Sequence, residues 1–158
     1  MKIRKHLIHY NYSSRQGTPI RYIVIHDTGN PAPTAHAYNH YRYFAGGNRQ
    51  ASAHYFVDQE GPLQIVEDAQ SAWHCGDGRG RYGITNRNSL GVELCINQGN
   101  SWERTLDQAV ALVKELMAFY RIPPSRVVRH YDASRKTCPR SMSANNWQAW
   151  WAFKKRLL

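Results

Sequence analysis

Three observations predict an α/β or α+β fold built on a single sheet. The first is a nearly continuous apolar run, Ile20 and Tyr22 to Ile25, that ends at His26. The second is a stretch of clean alternation, with Leu90, Val92, Leu94 and Ile96 on one face and Gly91, Glu93 and Cys95 on the other. The third is a longer stretch in which Leu106, Ala109, Val110, Val113, Leu116, Met117 and Tyr120 recur at helical spacing. The first pattern is that of a strand buried on both faces, the second that of a strand with one face on the core, and the third that of an amphipathic helix. Strands interleaved with helices in this way stack in layers around a common sheet.

In chain order, the first strand is expected over Pro19 to His26 and is broken by Asp27-Thr28-Gly29-Asn30-Pro31. His26 then stands where a rigid strand hands over to a loop. Thr34 is the expected N-cap of a helix reaching Ala45, stopped by Gly46-Gly47. Ser52 to Asp58 reads as a second strand, turned at Gln59-Glu60-Gly61-Pro62 into a third over Leu63 to Glu67. Ala69 to Arg87 is long, polar and glycine-rich, which reads as a functional loop. The alternating strand follows over Ser89 to Ile96. Thr105 and Gln108 have capping-box spacing at the start of the amphipathic helix, which Pro123-Pro124 ends. Val127-Val128 forms a short strand leading to Arg129-His130. Asn146 is the expected cap of a last helix, with Trp147, Trp150 and Trp151 spaced along one side. That spacing favours packing on the core over sugar stacking.

The chain has 158 residues and shows no repeat or compositional break, so a single domain over 1–158 is expected, with no second domain visible. Hydrophobic residues make up 42%, which supports a real core and excludes wholesale disorder. No stretch approaches the roughly 18 consecutive apolar residues of a membrane span. The basic N-terminus lacks an apolar h-region, so a secretory signal is not expected. Cys75, Cys95 and Cys138 are too few for a disulfide framework, and no disulfide is predicted. The formal charge of +10 points to an acidic partner: nucleic acid, an anionic membrane surface or a bacterial wall. The basic residues are dispersed, and no zinc-finger or RNP-like pattern accompanies them, which disfavours nucleic acid.

His26 and His130 at strand ends, with Cys138 in the loop after His130, could together form an open zinc site. Catalytic zinc takes three protein ligands and leaves one position to water, and imidazole and thiolate both suit it. Spacing alone leaves open a plain structural role for all three. His36 and His40, at i and i+4 on a helix, are a competing pair, but no Glu lies between them and a packing or solvated role is favoured. Glu93 faces away from the aliphatic side of its strand. A carboxylate there needs a partner unless that side faces solvent.

At these residues the sequence resembles the type 2 N-acetylmuramoyl-L-alanine amidases, zinc enzymes whose fold is shared by phage endolysins, bacterial wall amidases and peptidoglycan recognition proteins. The matching pieces stand in order: Tyr22 to Thr28, Ala51 to Asp58, Ala72-Trp73-His74-Cys75-Gly76-Asp77-Gly78, Asn86 to Leu94, and His130 followed by Lys136-Thr137-Cys138-Pro139. They cover nearly the whole chain, and the Asn86 to Glu93 stretch and the Lys-x-Cys-Pro ending are most similar to endolysins that attack Gram-positive walls. The resemblance implies a mixed central sheet flanked by helices. It implies one zinc ion held by His26, His130 and Cys138, with Glu93 as the acid that activates the attacking water. Lys136 matches a basic residue that stabilises the developing oxyanion. His54 stands where several relatives carry Tyr, and His74 in a loop that borders the cleft, so both are expected to contact substrate. The implied partner is bacterial peptidoglycan, with neither nucleic acid nor membrane, and the implied state a monomer. The implied route is synthesis in a host cytoplasm and release through a pore made by another protein. The +10 charge then reads as attraction to an anionic wall. A non-catalytic peptidoglycan-binding module and a cytoplasmic amidase that recycles anhydro-muropeptides are the alternatives.

Overall fold

The computed structural model describes residues 1–158, and its elements follow the apolar runs. Two short strands, β1 (Arg4–Lys5) and β2 (Tyr12–Ser14), precede β3 (Tyr22–Asp27), the apolar run that ends in His26. Next come helix α1 (Ala37–Ala45), the hairpin of β4 (Tyr55–Asp58) and β5 (Gly61–Gln64), and β6 (Gln70–Ala72). The alternating stretch forms β7 (Ser89–Leu94), followed by the long helix α2 (Trp102–Tyr120) and β8 (Val127–Arg129). Two helices, α3 (His130–Ser134) and α4 (Ala144–Lys155), complete the chain.

Six strands form one mixed sheet in the order β1-β5-β4-β7-β3-β8, and β2 pairs with β6 apart from it. The central strands β4, β7, β3 and β8 are parallel, and β4–β5 is antiparallel. Parallel strands need both faces covered. Leu90, Val92 and Leu94 of β7, with Ile23 and Ile25 of β3, pack against Leu112, Val113 and Leu116 of α2 and Trp150 and Phe153 of α4. On the other face α1 covers Phe56 and Leu63, while Val24 lies under Cys75, Ile84 and Ala133. That second face carries a polar rung, because His26 pairs in register with Glu93 and Glu93 with Phe56. A one-residue slip would turn the whole rung into the apolar core. No helix is long and apolar enough to cross a membrane.

Several element starts differ from the sequence expectation. His36, not Thr34, caps α1: its Nδ1 accepts from the Asn39 amide at 3.4 Å. Ser101, not Thr105, caps α2 by accepting from the Arg104 amide, and α2 starts a turn earlier. Thr105 is fully buried and turns its hydroxyl back to the Ser101 carbonyl. Asn145, Asn146 and Trp147 adopt left-handed backbone angles, so the expected Asn146 cap is a break within α4. The long 69–87 segment is not all loop, since β6 and a 3-10 turn at Gly76–Gly78 lie within it.

Candidate metal centre

Parallel pairing of β3 with β8 matches Ile25 to Arg129, so the next residues, His26 and His130, emerge side by side. His26 Nδ1 and His130 Nδ1 are 3.1 Å apart. The following loop folds back, the Tyr131 amide donating to the Cys138 carbonyl and the Ser141 amide to Asp27 Oδ2. This return brings Cys138 Sγ to 3.8 Å from His26 Nδ1. One ligand atom from each of His26, His130 and Cys138 lies within 4.8 Å of the others, and all three residues are buried. Burial pushes the Cys138 thiol up to about 12, with Glu93 adding to the shift. A cation among these atoms reverses that preference and holds the thiolate.

Glu93 reaches the same point from the neighbouring strand, its Oε1 4.0 Å from His26 Nδ1. Its other oxygen, Oε2, is buried and has no hydrogen-bond partner. Burial, then the nearby Asp27, push its carboxyl up to about 8, while Lys136 pulls the other way. A mostly buried carboxylate with a free oxygen is equipped to take and return a proton. Lys136 is exposed and lines an open pocket of about 430 Å³ with Gln50, Trp73, His74, Asp77 and His130.

Two further histidines adjoin this centre. His54 is fully buried. Its Nδ1 accepts from the Gly91 amide at 3.0 Å, so Nε2 carries the hydrogen and donates to the Gln70 carbonyl at 2.8 Å. Arg15 packs beside it and donates to the Ser89, Arg87 and Asp68 carbonyls. The expected substrate contact by His54 is therefore replaced by a structural role: no part of the ring reaches solvent. His74 is 9% exposed, and both its ring nitrogens are engaged, one by His26 and one by Ser89. It has no free ring nitrogen, yet it lines the same open pocket as Trp73, Asp77, His130 and Lys136, beside a candidate ligand. His130 has a comparable support, its Nε2 2.7 Å from Asp77 Oδ1. Asp77 and Ser89 stand within the matching motifs, but no pattern in the sequence assigns them, or Arg15, a supporting role. Asp77 had a visible signal, a carboxylate three positions after His74 in a glycine-rich loop; Arg15 had none.

The remaining candidates lie elsewhere. His36 serves as a helix cap and His40 stacks on Phe56, so the i, i+4 pair does not form a metal cluster. Trp150 is in the core, whereas Arg129 stacks its guanidinium 4.4 Å from the Trp147 ring centre and 5.6 Å from that of Trp151. Cys75 and Cys95 are free and buried in separate clusters, one with Val24 and the other with Phe56.

Residues 16–141 match the N-acetylmuramoyl-L-alanine amidase family. The chain belongs to this family. Among relatives of this amidase-family chain, CwlH of Bacillus subtilis is 34% identical over 142 residues, covering 89% of the chain and 56% of CwlH. XlyA of Bacillus subtilis is 37% identical over 125 residues, covering 79% of the chain and 41% of XlyA. The chain spans about half the length of the curated relatives it matches. The solved catalytic domain of XlyA superposes with a TM-score of 0.88 at 32% identity, with 100% of each chain covered. PlyL superposes with a TM-score of 0.82 at 34% identity, covering 99% of this chain and 97% of that one. These likenesses match the fold that the sequence predicted, a mixed sheet with helices on both faces.

Proposed function

We propose that this chain is a zinc-dependent N-acetylmuramoyl-L-alanine amidase of the phage or prophage endolysin kind. Its reaction is hydrolysis of the amide between the lactyl group of N-acetylmuramic acid and L-alanine in bacterial peptidoglycan. The carrying observation is the convergence of His26, His130 and Cys138 donor atoms within 4.8 Å beside a mostly buried Glu93. Two imidazoles and a thiolate suit one zinc ion, and the unpartnered Glu93 Oε2 suits a site that gains a water or substrate. A module that only binds peptidoglycan has no need of a complete ligand set with a proton carrier at its side.

Zinc, when held by these three residues, polarises the amide carbonyl and makes water a nucleophile near neutral pH. Glu93 takes the proton of the attacking water and returns it to the leaving amine nitrogen of L-alanine. The Lys136 ammonium stabilises charge developing on the carbonyl oxygen. Asp77 and His74 hold the two ligand imidazoles in place. Residues 1–158 act as one catalytic unit, working as a monomer on peptidoglycan, with neither nucleic acid nor membrane as partner.

Elemental analysis of the purified protein, with and without Cys138→Ala, tests the metal assignment. One zinc per chain in the wild type and a marked loss in the variant are expected. A zinc-free wild type, or a variant with unchanged zinc, contradicts it.

A further inference from the structure

The hydrogen-bond chain behind His26 has a direction that its chemistry dictates. His26 Nε2 is 2.9 Å from His74 Nδ1, His74 Nε2 is 3.0 Å from Ser89 Oγ, and Ser89 Oγ is 2.5 Å from the Thr85 carbonyl oxygen. The chain ends on a backbone carbonyl, which only accepts. The Ser89 hydroxyl hydrogen is therefore committed to Thr85, and Ser89 Oγ accepts from His74 Nε2–H. A neutral His74 is then bare at Nδ1, which must accept from His26 Nε2–H. His26 is left bare at Nδ1, the atom that faces His130 Nδ1 at 3.1 Å and Cys138 Sγ at 3.8 Å.

We propose that His74 is a positioning residue which, anchored through Ser89 on the Thr85 carbonyl, fixes His26 in the one tautomer and ring orientation that present Nδ1 to the metal. The proposal rests on the zinc reading above. Metal-bound histidines generally use their second nitrogen in this way, and the supporting group tunes affinity.

The surroundings are built for this ring. Asn86 Oδ1 accepts from both the His74 and Cys75 amides, which fixes the backbone on which the imidazole hangs. The ring lies directly on β7 at Gly91, where a Cβ would come within 2.6 Å of it. Ser89 is fully buried, so water does not compete for the relay. The two ligands are supported differently: His130 by the carboxylate of Asp77, and His26 by a neutral ring that adds no further negative charge beside Cys138 and Glu93.

Two substitutions separate positioning from packing. His74→Asn keeps an acceptor oxygen close to the position of Nδ1, whereas His74→Leu fills the space without one. Zinc affinity is measured on the full chain by competition with a chromophoric chelator, alongside thermal melting of the metal-free proteins. His74→Leu is expected to bind zinc about 10–100-fold more weakly, with His74→Asn restoring most of that loss. The ring nitrogens of His26 in zinc-loaded, nitrogen-15-labelled wild type are expected to show hydrogen on Nε2 alone. Ser89→Ala, nearly isosteric, removes only the anchor and is expected to weaken zinc by a smaller factor; it decides the matter if His74→Leu does not fold. Wild-type affinity in His74→Leu, or in Ser89→Ala if that variant has to decide, overturns the proposal. So does equal weakening in the Leu and Asn variants, or hydrogen on His26 Nδ1. A wild type that binds no zinc removes the metal reading itself, a distinguishable failure.

Discussion

Glu93 is held in a state that an ordinary surface carboxylate never experiences. It is mostly buried, one oxygen lies near a candidate ligand, and the other has no partner. Its side chain contributes a proton path and not a metal bond, so its loss should separate turnover from assembly. Glu93→Ala is expected to retain zinc and its melting temperature while losing about 10²–10⁴-fold in turnover on sacculi. Turnover close to wild type would remove Glu93 from the role of proton carrier. His26 and Glu93 were both legible in the sequence, because an apolar run and a strict alternation each fix which way a strand side chain points. His54 and His74 were not. Alternation places His54 on a face, but what covers that face is Arg15, from a polar segment 39 positions away with no periodic signal.

At the scale of elements, the site depends on β7 lying between β3 and β4 in parallel register. That register sets His26, Glu93 and Phe56 on one rung, and β8 adds His130 at its end. Gly91 is the close-packed point of this arrangement, since the His74 ring occupies the place of its missing side chain. Gly91→Ala is expected to destabilise the metal-free protein by about 1–3 kcal/mol, read from urea denaturation, and to weaken zinc binding by displacing His74. Wild-type values for both would mean that the ring does not rest on β7. The strands and the long helix were legible because their patterns extend over several residues. The helix starts were less so. Ser101 and Thr105 are both good caps by residue type, and only the buried environment of Thr105 decides between them. The left-handed turn at Asn145 to Trp147 was also hidden, because Asn suits both a helix cap and a left-handed position.

For the whole molecule, the +10 charge is unevenly engaged. Arg4, Lys5, Arg129 and Arg156 pair with Asp58, Glu67, Asp132 and Asp107. Among the exposed basic residues, Lys136 lines the same pocket as His130, and Arg79 and Arg87 line a second pocket that shares Gly76 and Asn86 with it. Under the proposed function this basic rim attracts an anionic wall, and the attraction is screened over about 10 Å at 0.1 M salt. Raising the salt is therefore expected to weaken association with intact sacculi more than it slows cleavage of a small soluble muropeptide. Equal effects on both would show that the charge does not act through the wall. The sequence supplied the sign of this charge but not its distribution, which depends on how the 76–87 and 135–136 segments fold beside one another.

The most direct test of the proposed chemistry is mass analysis of purified peptidoglycan after digestion. New lactyl carboxylates on N-acetylmuramic acid, matched by new L-alanine N-termini, are the predicted products. New reducing sugars with the lactyl–alanine amide intact would contradict the assignment.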